Sequence, residues 1–254
     1  MNGLLNLSFP LFDALDALLA FLPAGLRVAL FGVASGVVTM GLYRWSSNQE
    51  KIRRYKEEMG RIRRRLAAAG DDLGETMRLS RANLAASFRL LGTVTGPALL
   101  ASLPILFVIV WVATRYGYEP PAPASPVAIV FEPGREGILV EPEEALEERG
   151  GELFLRWPAS AGEIRFRDAK GPVYAGPPPV PANDVVHKPL WWNLLLGNEM
   201  GYLREDAAIE AIRFELAPRR LLPGLPGWLA GWEAVYFASL LVTSLLLKLV
   251  FRIE

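Results

Sequence analysis

Three long runs of apolar residues divide the chain and predict three membrane-spanning helices. The first run, between Arg27 and Arg44, has 16 uncharged residues, and the second, between Arg89 and Arg115, has 25. The third run, near the C-terminus, is interrupted only by Lys248. As a helix the first run rises about 24 Å, slightly less than a hydrocarbon core of about 30 Å. The predicted spans are residues 25–44, 93–115 and 227–251.

The N-terminal segment has a second kind of pattern. Between residues 11 and 22 six large apolar side chains share one helical face, and Asp13 and Asp16 lie opposite them. The first basic residue is Arg27, so the positive region of a signal peptide is missing. Residues 1–24 therefore predict an amphipathic helix lying in the membrane interface. The alternative is a plain extension of the first span.

Residues 45–92, between the first two spans, show a heptad-like pattern. A 3-4-3-4 spacing of apolar residues predicts a coiled-coil helix whose seam is Ile52, Tyr55, Met59, Ile62 and Leu66. The run from Gly70 to Gly74 supplies helix breakers and a new helix start. The returning helix is expected to use Met77, Leu84, Phe88 and Leu91. Together the two helices predict an antiparallel coiled-coil hairpin.

Charge is distributed unevenly although the whole chain is neutral. Residues 44–92 contain twelve Lys or Arg against six Asp or Glu, a net charge of +6. Residues 116–231 contain eleven basic and seventeen acidic residues, a net charge of −6. Basic residues in short loops stay on the cytoplasmic side of a membrane. The hairpin and the tail 252–254 are therefore predicted to be cytoplasmic, and the N-terminus and residues 116–231 to be outside.

The basic surface of the hairpin has two interpretations. Its exposed charges would face anionic lipid, or they would contact a polyanion such as ribosomal RNA or another acidic cytoplasmic partner. No motif for reading a specific DNA or RNA sequence accompanies them. The residues expected to carry this surface are Arg53, Arg54, Arg61, Arg63, Arg64 and Arg65.

Residues 116–226 predict a small β-rich domain on the extracytoplasmic, or periplasmic, side. Short alternating or β-rich stretches occur at 127–131, 137–141, 152–157, 163–167 and 209–216. A proline-rich stretch at 176–181 separates most of them from an apolar run at 190–197. Their number and spacing favour a β-sandwich-like fold. Such a domain could bind a periplasmic protein partner.

Enzyme chemistry has no support in the sequence. The chain contains no cysteine and one histidine, His187, which has no neighbouring metal ligands. No serine elbow, phosphate loop or zinc motif is present. We expect no cofactor, no metal and no catalytic residue. Trp191 and Trp192 are expected to pack inside the β domain, the alternative being that they enter the membrane surface.

Small and polar residues recur on one face of each span. The residues Gly32, Ser35, Gly36, Thr39 and Tyr43 follow three-four spacing on the first. Such faces either pack helices closely together or line a hydrated groove. If the faces line a groove, a positive charge at its cytoplasmic end would favour the entry of a polar peptide. The alternative for Lys248 is that its side chain extends along the helix and places the ammonium group at the membrane surface. The candidate groove residues are Ser35, Thr39, Arg44, Ser102, Ser239, Thr243 and Lys248.

Two stretches resemble a known family. Leu42-Tyr-Arg-Trp-Ser-Ser-Asn-Gln-Glu-Lys-Ile52 is similar to the passage from first core span into hairpin in the Oxa/YidC/Alb superfamily of membrane insertases. The proline-bearing Leu-Leu-Ala-Ser-Leu-Pro-Ile-Leu at 99–106 is similar to its second core span. The resemblance covers residues 25–115 and 232–251. With three spans the chain is closer to the branch of archaeal YidC-like proteins and subunit three of the endoplasmic reticulum membrane complex.

The resemblance implies a three-helix core that inserts transmembrane segments through a hydrophilic groove without nucleotide hydrolysis. It maps the family's groove arginine to Arg44. Two features depart from the family: the β domain between the second and third spans, and a very short C-terminal tail. The leading hypothesis is a bacterial inner-membrane insertase or chaperone whose partners are membrane lipids and nascent or client membrane proteins. The alternatives are a scaffold that binds envelope and cytoplasmic partners and, third, an ion-conducting oligomer.

Overall fold

The computed structural model describes residues 3–70, 72–141, 143, 146–157, 164–176 and 184–253. Three of its helices are long and apolar enough to cross a membrane, as expected for a membrane protein. They are α2 (Ala24–Ser46), α4 (Leu73–Tyr116) and α6 (Trp232–Val250). The proline stretch 177–181, the first residue of the predicted 163–167 strand and the final residue of the tail lie outside the described residues.

The chain divides into two compact units. The β unit comprises Met1–Val28 and Phe107–Val235, and the helical unit comprises Ala29–Leu106 and Tyr236–Glu254. The β unit therefore holds the N-terminus, the β domain and one end of each long helix. The helical unit holds the remainder of those three helices together with α3 (Gln49–Ala68).

The N-terminal segment of the β unit is a 3₁₀ turn (Leu4–Ser8) followed by α1 (Phe9–Leu18), which is a separate helix from α2. On its polar face, Asp13 accepts hydrogen bonds at 2.8 Å from Trp111 Nε1 and from Arg115 Nε. The Arg115 hydrogen bond holds the pKa of Asp13 below its ordinary value of 3.8. Asp16 pairs with Arg27 at 2.6 Å. Both acids are thus neutralised by arginines, while Leu11, Leu15 and Leu18 stay exposed.

Helix α4 joins two elements that the sequence predicts as separate. Its 44 residues run without interruption from the returning arm of the hairpin through the second span, a length of about 66 Å. Asp72 caps it, since its Oδ1 accepts the Glu75 backbone N–H at 3.0 Å. Pro97 and Pro104 lie inside the helix, which continues past both. The hairpin arm and the span are therefore one continuous helix.

The β domain consists of two antiparallel sheets, which confirms the predicted small β domain. The first sheet has the order β3-β4-β1-β8-β7 and the second the order β2-β5-β6. Side chains of both sheets, such as Ile129, Phe166 and Phe214, form one hydrophobic core. The strands are β1 (Pro126–Glu132), β2 (Leu139–Glu141), β3 (Leu146–Arg149), β4 (Glu152–Arg156), β5 (Ile164–Asp168), β6 (Gly171–Gly176), β7 (Val185–His187) and β8 (Ala211–Phe214).

Alternation along the strands explains how this core forms. In β1, Val127, Ile129 and Phe131 are buried while the intervening side chains are more exposed, and in β5 the same holds for Ile164 and Phe166. A short helix, α5 (Gly227–Ala230), follows the domain and precedes α6. The predicted third span, 227–251, therefore contains two helices, with extended backbone at Gly231 between them.

Candidate functional site in the helical unit

Helix α3 follows the predicted heptad pattern in its burial. Asn48 caps its start, because its side-chain oxygen accepts the Lys51 backbone N–H at 2.9 Å. Ile52 and Met59, one heptad apart, are buried. The remaining predicted seam residues, Tyr55, Ile62 and Leu66, are half-buried.

The seam predicted for the returning helix is wrong. Its four large apolar residues are 57–64% exposed: Met77, Leu84, Phe88 and Leu91. The buried residues of this arm are instead Leu79 and Ala86, which are also one heptad apart. Small Ala86 on the inward face allows close approach of a neighbouring helix, whereas the larger residues remain on the outward face. Each of the two helices thus buries residues at heptad spacing.

The basic surface of the hairpin lies on α3. All six predicted arginines, from Arg53 to Arg65, are exposed. Arg54 forms an ion pair with Glu50, but both side chains are solvent-exposed, so the pair contributes little to stability. At the start of α4, Glu75 forms an ion pair with Arg78 at 2.6 Å, and the Arg78 hydrogen bond lowers the pKa of Glu75. The positive charge of Arg65 lowers this pKa further, but more weakly. Among the described residues only Arg54 of the six arginines has an ion pair, so the surface keeps positive charge that can attract an anionic surface.

Helices α2 and α6 approach each other through two glycines four residues apart. A Cβ atom on Gly32 would lie 2.6 Å from the Tyr236 carbonyl oxygen. A Cβ atom on Gly36 would lie 3.0 Å from Thr243 Cβ and 3.1 Å from the Leu240 carbonyl oxygen. Glycine is needed at Gly32 because any side chain would collide with the partner backbone. This arrangement matches the small-xxx-small pattern by which helices pack in membranes.

Hydroxyl groups accompany the glycines at this contact. The Tyr236 hydroxyl donates to Ser35 Oγ at 2.8 Å, and both side chains are buried. Ser239 donates to the Tyr236 carbonyl of its own helix at 2.9 Å. Four of the seven candidate groove residues, Ser35, Thr39, Ser239 and Thr243, thus occupy the facing sides of α2 and α6.

Thr39 differs from its neighbours. Its hydroxyl oxygen is buried and has no hydrogen-bond partner among the described residues. A threonine in a helix usually bonds the carbonyl four residues earlier, as Thr93 and Thr95 of α4 do. An unsatisfied buried hydroxyl costs free energy. Thr39 is therefore a buried polar group whose hydrogen-bonding capacity is unused within the described residues.

The two cationic candidates lie near the C-terminal ends of α2 and α6. Arg44 Nη1 donates to the Phe251 carbonyl oxygen at 2.8 Å, and its guanidinium carbon lies 5.8 Å from the Phe251 ring centre. Arg44 thus satisfies a carbonyl at the negative end of the α6 dipole. Lys248, in the last turn of α6, is exposed.

Helix α4 is less tightly packed than α2. Only 17% of its most apolar stretch is buried, against 28% for α2, and the corresponding share for α6 is 6%. Ser102 donates to the Leu99 carbonyl of its own helix at 2.8 Å, and Ala101 next to it is buried. The structure therefore brings together the candidate residues of α2 and α6, whereas Ser102 hydrogen-bonds within α4.

Sequence reasoning missed Tyr236 as the hydrogen-bond partner of Ser35. An aromatic residue at the start of a span is usually interpreted as an interfacial anchor, and nothing in the spacing marked this one as inward-facing.

In the β unit, His187 donates from Nδ1 to the Lys188 carbonyl at 2.6 Å, and its ring lies 5.2 Å from that of Trp192. Trp191 is 79% exposed, so the expectation that it packs inside the domain is wrong.

No protein-family model matches the chain, and comparison with curated proteins and with solved structures likewise gave no match.

Proposed function

We propose that the chain is a bacterial inner-membrane insertase or chaperone that assists the insertion of transmembrane segments. In this proposal the hairpin and the C-terminus are cytoplasmic, and the N-terminus and the β domain are periplasmic. Clients would be nascent or newly made membrane proteins. The arginines of α3 would attract anionic lipid, a ribosome or another acidic cytoplasmic partner.

The division of the chain into units is the observation that carries the proposal. The helical unit, Ala29–Leu106 with Tyr236–Glu254, nearly coincides with the residues that resemble the Oxa/YidC/Alb superfamily, 25–115 and 232–251. The β domain, which departs from the family, belongs to the other unit. The extra domain is thus an insertion that leaves most of the three spans and the hairpin in one compact body, as a family core with an added domain would be.

The helical unit offers a chemical route for a polar peptide. Tight packing of α2 on α6 gathers hydroxyls on one side, and Thr39 has an unsatisfied oxygen there. The apolar parts of α4 and α6 are largely exposed, so a client segment would reach them laterally from the lipid. A client's short polar flank would bond these hydroxyls, which lowers the cost of entering the bilayer. The client's apolar segment would meanwhile partition into the bilayer. The bilayer would be thinner beside α2, because the uncharged stretch of that helix is short.

Site-specific photo-crosslinking during insertion tests this route. The full chain is reconstituted into liposomes, and a single-span client with a short acidic flank is supplied and followed by protease protection. Crosslinkers replace Thr39 or Thr243, and matched controls replace Val37 or Val242, which are exposed on the other sides of α2 and α6. We expect client adducts at the first pair and lipid adducts at the second. Equal labelling of the two pairs contradicts the groove.

A scaffold role is the alternative, and the β unit's existence as a separate compact body favours it. Replacing residues 120–226 by a short glycine–serine linker separates the two functions. An insertase should keep most of its insertion activity in liposomes, because the linker leaves the helical unit intact. Loss of all activity in a variant that still elutes as a folded monodisperse protein would favour the scaffold.

A further inference from the structure

The β unit contains a cavity of about 660 Å³ where residues of α4, of α6 and of the β domain meet. Its volume lies within the range of small-molecule binding sites, roughly 300–1,000 Å³. All its lining residues belong to the β unit. None of them was assigned a role by the proposed insertase mechanism.

One wall of the cavity is apolar and comes from the spanning helices. Ile109, Val110 and Ala113 lie near the C-terminal end of α4, and Trp232 is the first residue of α6. Tryptophan favours the boundary between hydrocarbon and headgroups. An occupant of this wall would therefore be in contact with the acyl region of a membrane.

The lining of the cavity is also acidic. Asp184 and Glu233 belong to it, Glu233 directly after Trp232 in α6, and no lysine or arginine is among the described lining residues. Burial raises the pKa of Tyr118 above its ordinary value of 10.0, and the neighbouring Asp184 carboxylate, to which the Tyr118 hydroxyl donates, raises it further, while the charge of Arg213 lowers it. The Asp184 and Glu233 carboxylates thus give this part of the lining a negative charge, which repels phosphate or carboxylate groups and attracts a cation.

Three asparagines hold the walls in place. Asn6 exchanges two hydrogen bonds with the Gly197 backbone, at 3.1 and 2.8 Å, which fastens the N-terminal 3₁₀ turn to the loop after Trp192. Asn193 bonds the Leu190 N–H and the Leu196 carbonyl, and Asn198 bonds the Val185 carbonyl and the Met200 N–H. Because these amides are engaged with backbone, they fix the shape of the cavity.

We propose that this cavity binds a membrane phospholipid with an ammonium headgroup, of the phosphatidylethanolamine type. The ammonium lies between the Asp184 and Glu233 carboxylates, beside the aromatic rings of Trp192 and Trp232, which favour cations over their faces. The part of one acyl chain nearest the headgroup lies along Ile109 and Val110. The lipid phosphate stays at the mouth, because no basic residue draws it inside.

Native mass spectrometry of the full chain in mild detergent tests the proposal. The protein is incubated with equimolar phosphatidylethanolamine and phosphatidylglycerol, and the two bound fractions are compared. A charge-assisted hydrogen bond of about 1.5–3 kcal/mol corresponds to a preference of about tenfold or more for the amine lipid. The double variant Asp184→Asn/Glu233→Gln should lower this ratio to about one. The matched control Glu136→Gln/Glu215→Gln removes the same charge from exposed positions outside the cavity and should keep the ratio.

Two further measurements make the outcome decisive. Glu233→Gln alone changes one exposed carboxylate, so it should fold normally and lower the ratio by several-fold. Free ethanolamine in molar excess should not displace the lipid, because it lacks the acyl chain that contacts α4. An unchanged lipid ratio in the folded variants overturns the site, and full displacement by ethanolamine shows a site for free amines in place of a lipid.

Discussion

The contact between α2 and α6 is decided by individual atoms. In an apolar solvent the hydrophobic effect does not drive helices together, so close packing and hydrogen bonds must do so. Gly32 and Gly36 permit the backbone approach, and the Tyr236–Ser35 hydrogen bond adds about 0.6 kcal/mol by comparison with other membrane proteins. The same residues leave Thr39 as a buried hydroxyl without a partner in the part of the chain that is described. Close packing and an unsatisfied polar group therefore occur on the same helix.

Substituting Gly36 by leucine tests the packing. A leucine side chain would overlap Thr243 and the Leu240 carbonyl, so α2 and α6 must separate. Overpacking of this kind costs about 1–3 kcal/mol. We expect a lower midpoint of thermal unfolding in detergent. The same change at Gly41, whose Cβ position has no heavy atom within 4 Å, should leave the midpoint nearly unchanged. Equal effects at both glycines would show that α2 and α6 are not in close contact.

Among the elements, the hairpin shows how a periodic pattern can mislead. On α3 the heptad residues and the buried residues coincide, because only one face of that helix is apolar. On the returning arm two faces carry spaced apolar residues, and the spacing of the larger side chains predicts the wrong seam. The structure turns Leu79 and Ala86 inward and leaves Leu84 and Phe88 outward. Residue size alone could not decide this.

Paired truncations distinguish the two seams. Leu79 is 5% exposed and Leu84 is 58% exposed, although both are leucines on the same arm. Leu79→Ala should destabilise the helical unit by about 2–5 kcal/mol, because it removes buried methyl groups and leaves a cavity. Leu84→Ala should change stability by less than about 0.5 kcal/mol. Chemical denaturation followed by helical circular dichroism measures both. A larger loss of stability from Leu84→Ala than from Leu79→Ala would show that the seam predicted from the sequence, which includes Leu84, is the packed one.

The elements that sequence reasoning found are those with a strong period. Strands β1 and β5 alternate, and they were predicted. Strand β3 is Leu-Glu-Glu-Arg and β6 begins Gly-Pro, so neither shows the alternation of a half-buried strand, and both were missed. The cavity could not be predicted, because its walls come from α4, α6 and loops far apart in sequence. Spacing along the chain reports faces of elements, but it does not report which faces meet.

At the scale of the whole molecule, uneven charge carries the argument about orientation. The excess of six positive charges in residues 44–92 lies next to two spans, where it opposes translocation. The arginines of α3 are exposed, and few of them are consumed by ion pairs in the described residues. In the proposed orientation, their charge would hold the hairpin on the cytoplasmic side. The matching negative excess lies in a long segment, which translocates largely regardless of charge.

Cysteine labelling in intact cells tests this orientation directly, because the chain has no cysteine of its own. Ser80→Cys places a thiol on the hairpin arm and Ala208→Cys places one in the β unit, and both positions are exposed. A membrane-impermeant maleimide should label Ala208→Cys at once and Ser80→Cys only after the membrane is permeabilised. Replacing Arg61, Arg63, Arg64 and Arg65 by glutamine should make a fraction of Ser80→Cys accessible from outside, because this lowers the positive excess from six to two. Immediate labelling of Ser80→Cys with all arginines present would place the hairpin outside, and an insertase that receives its clients from the cytoplasm could not work in that orientation.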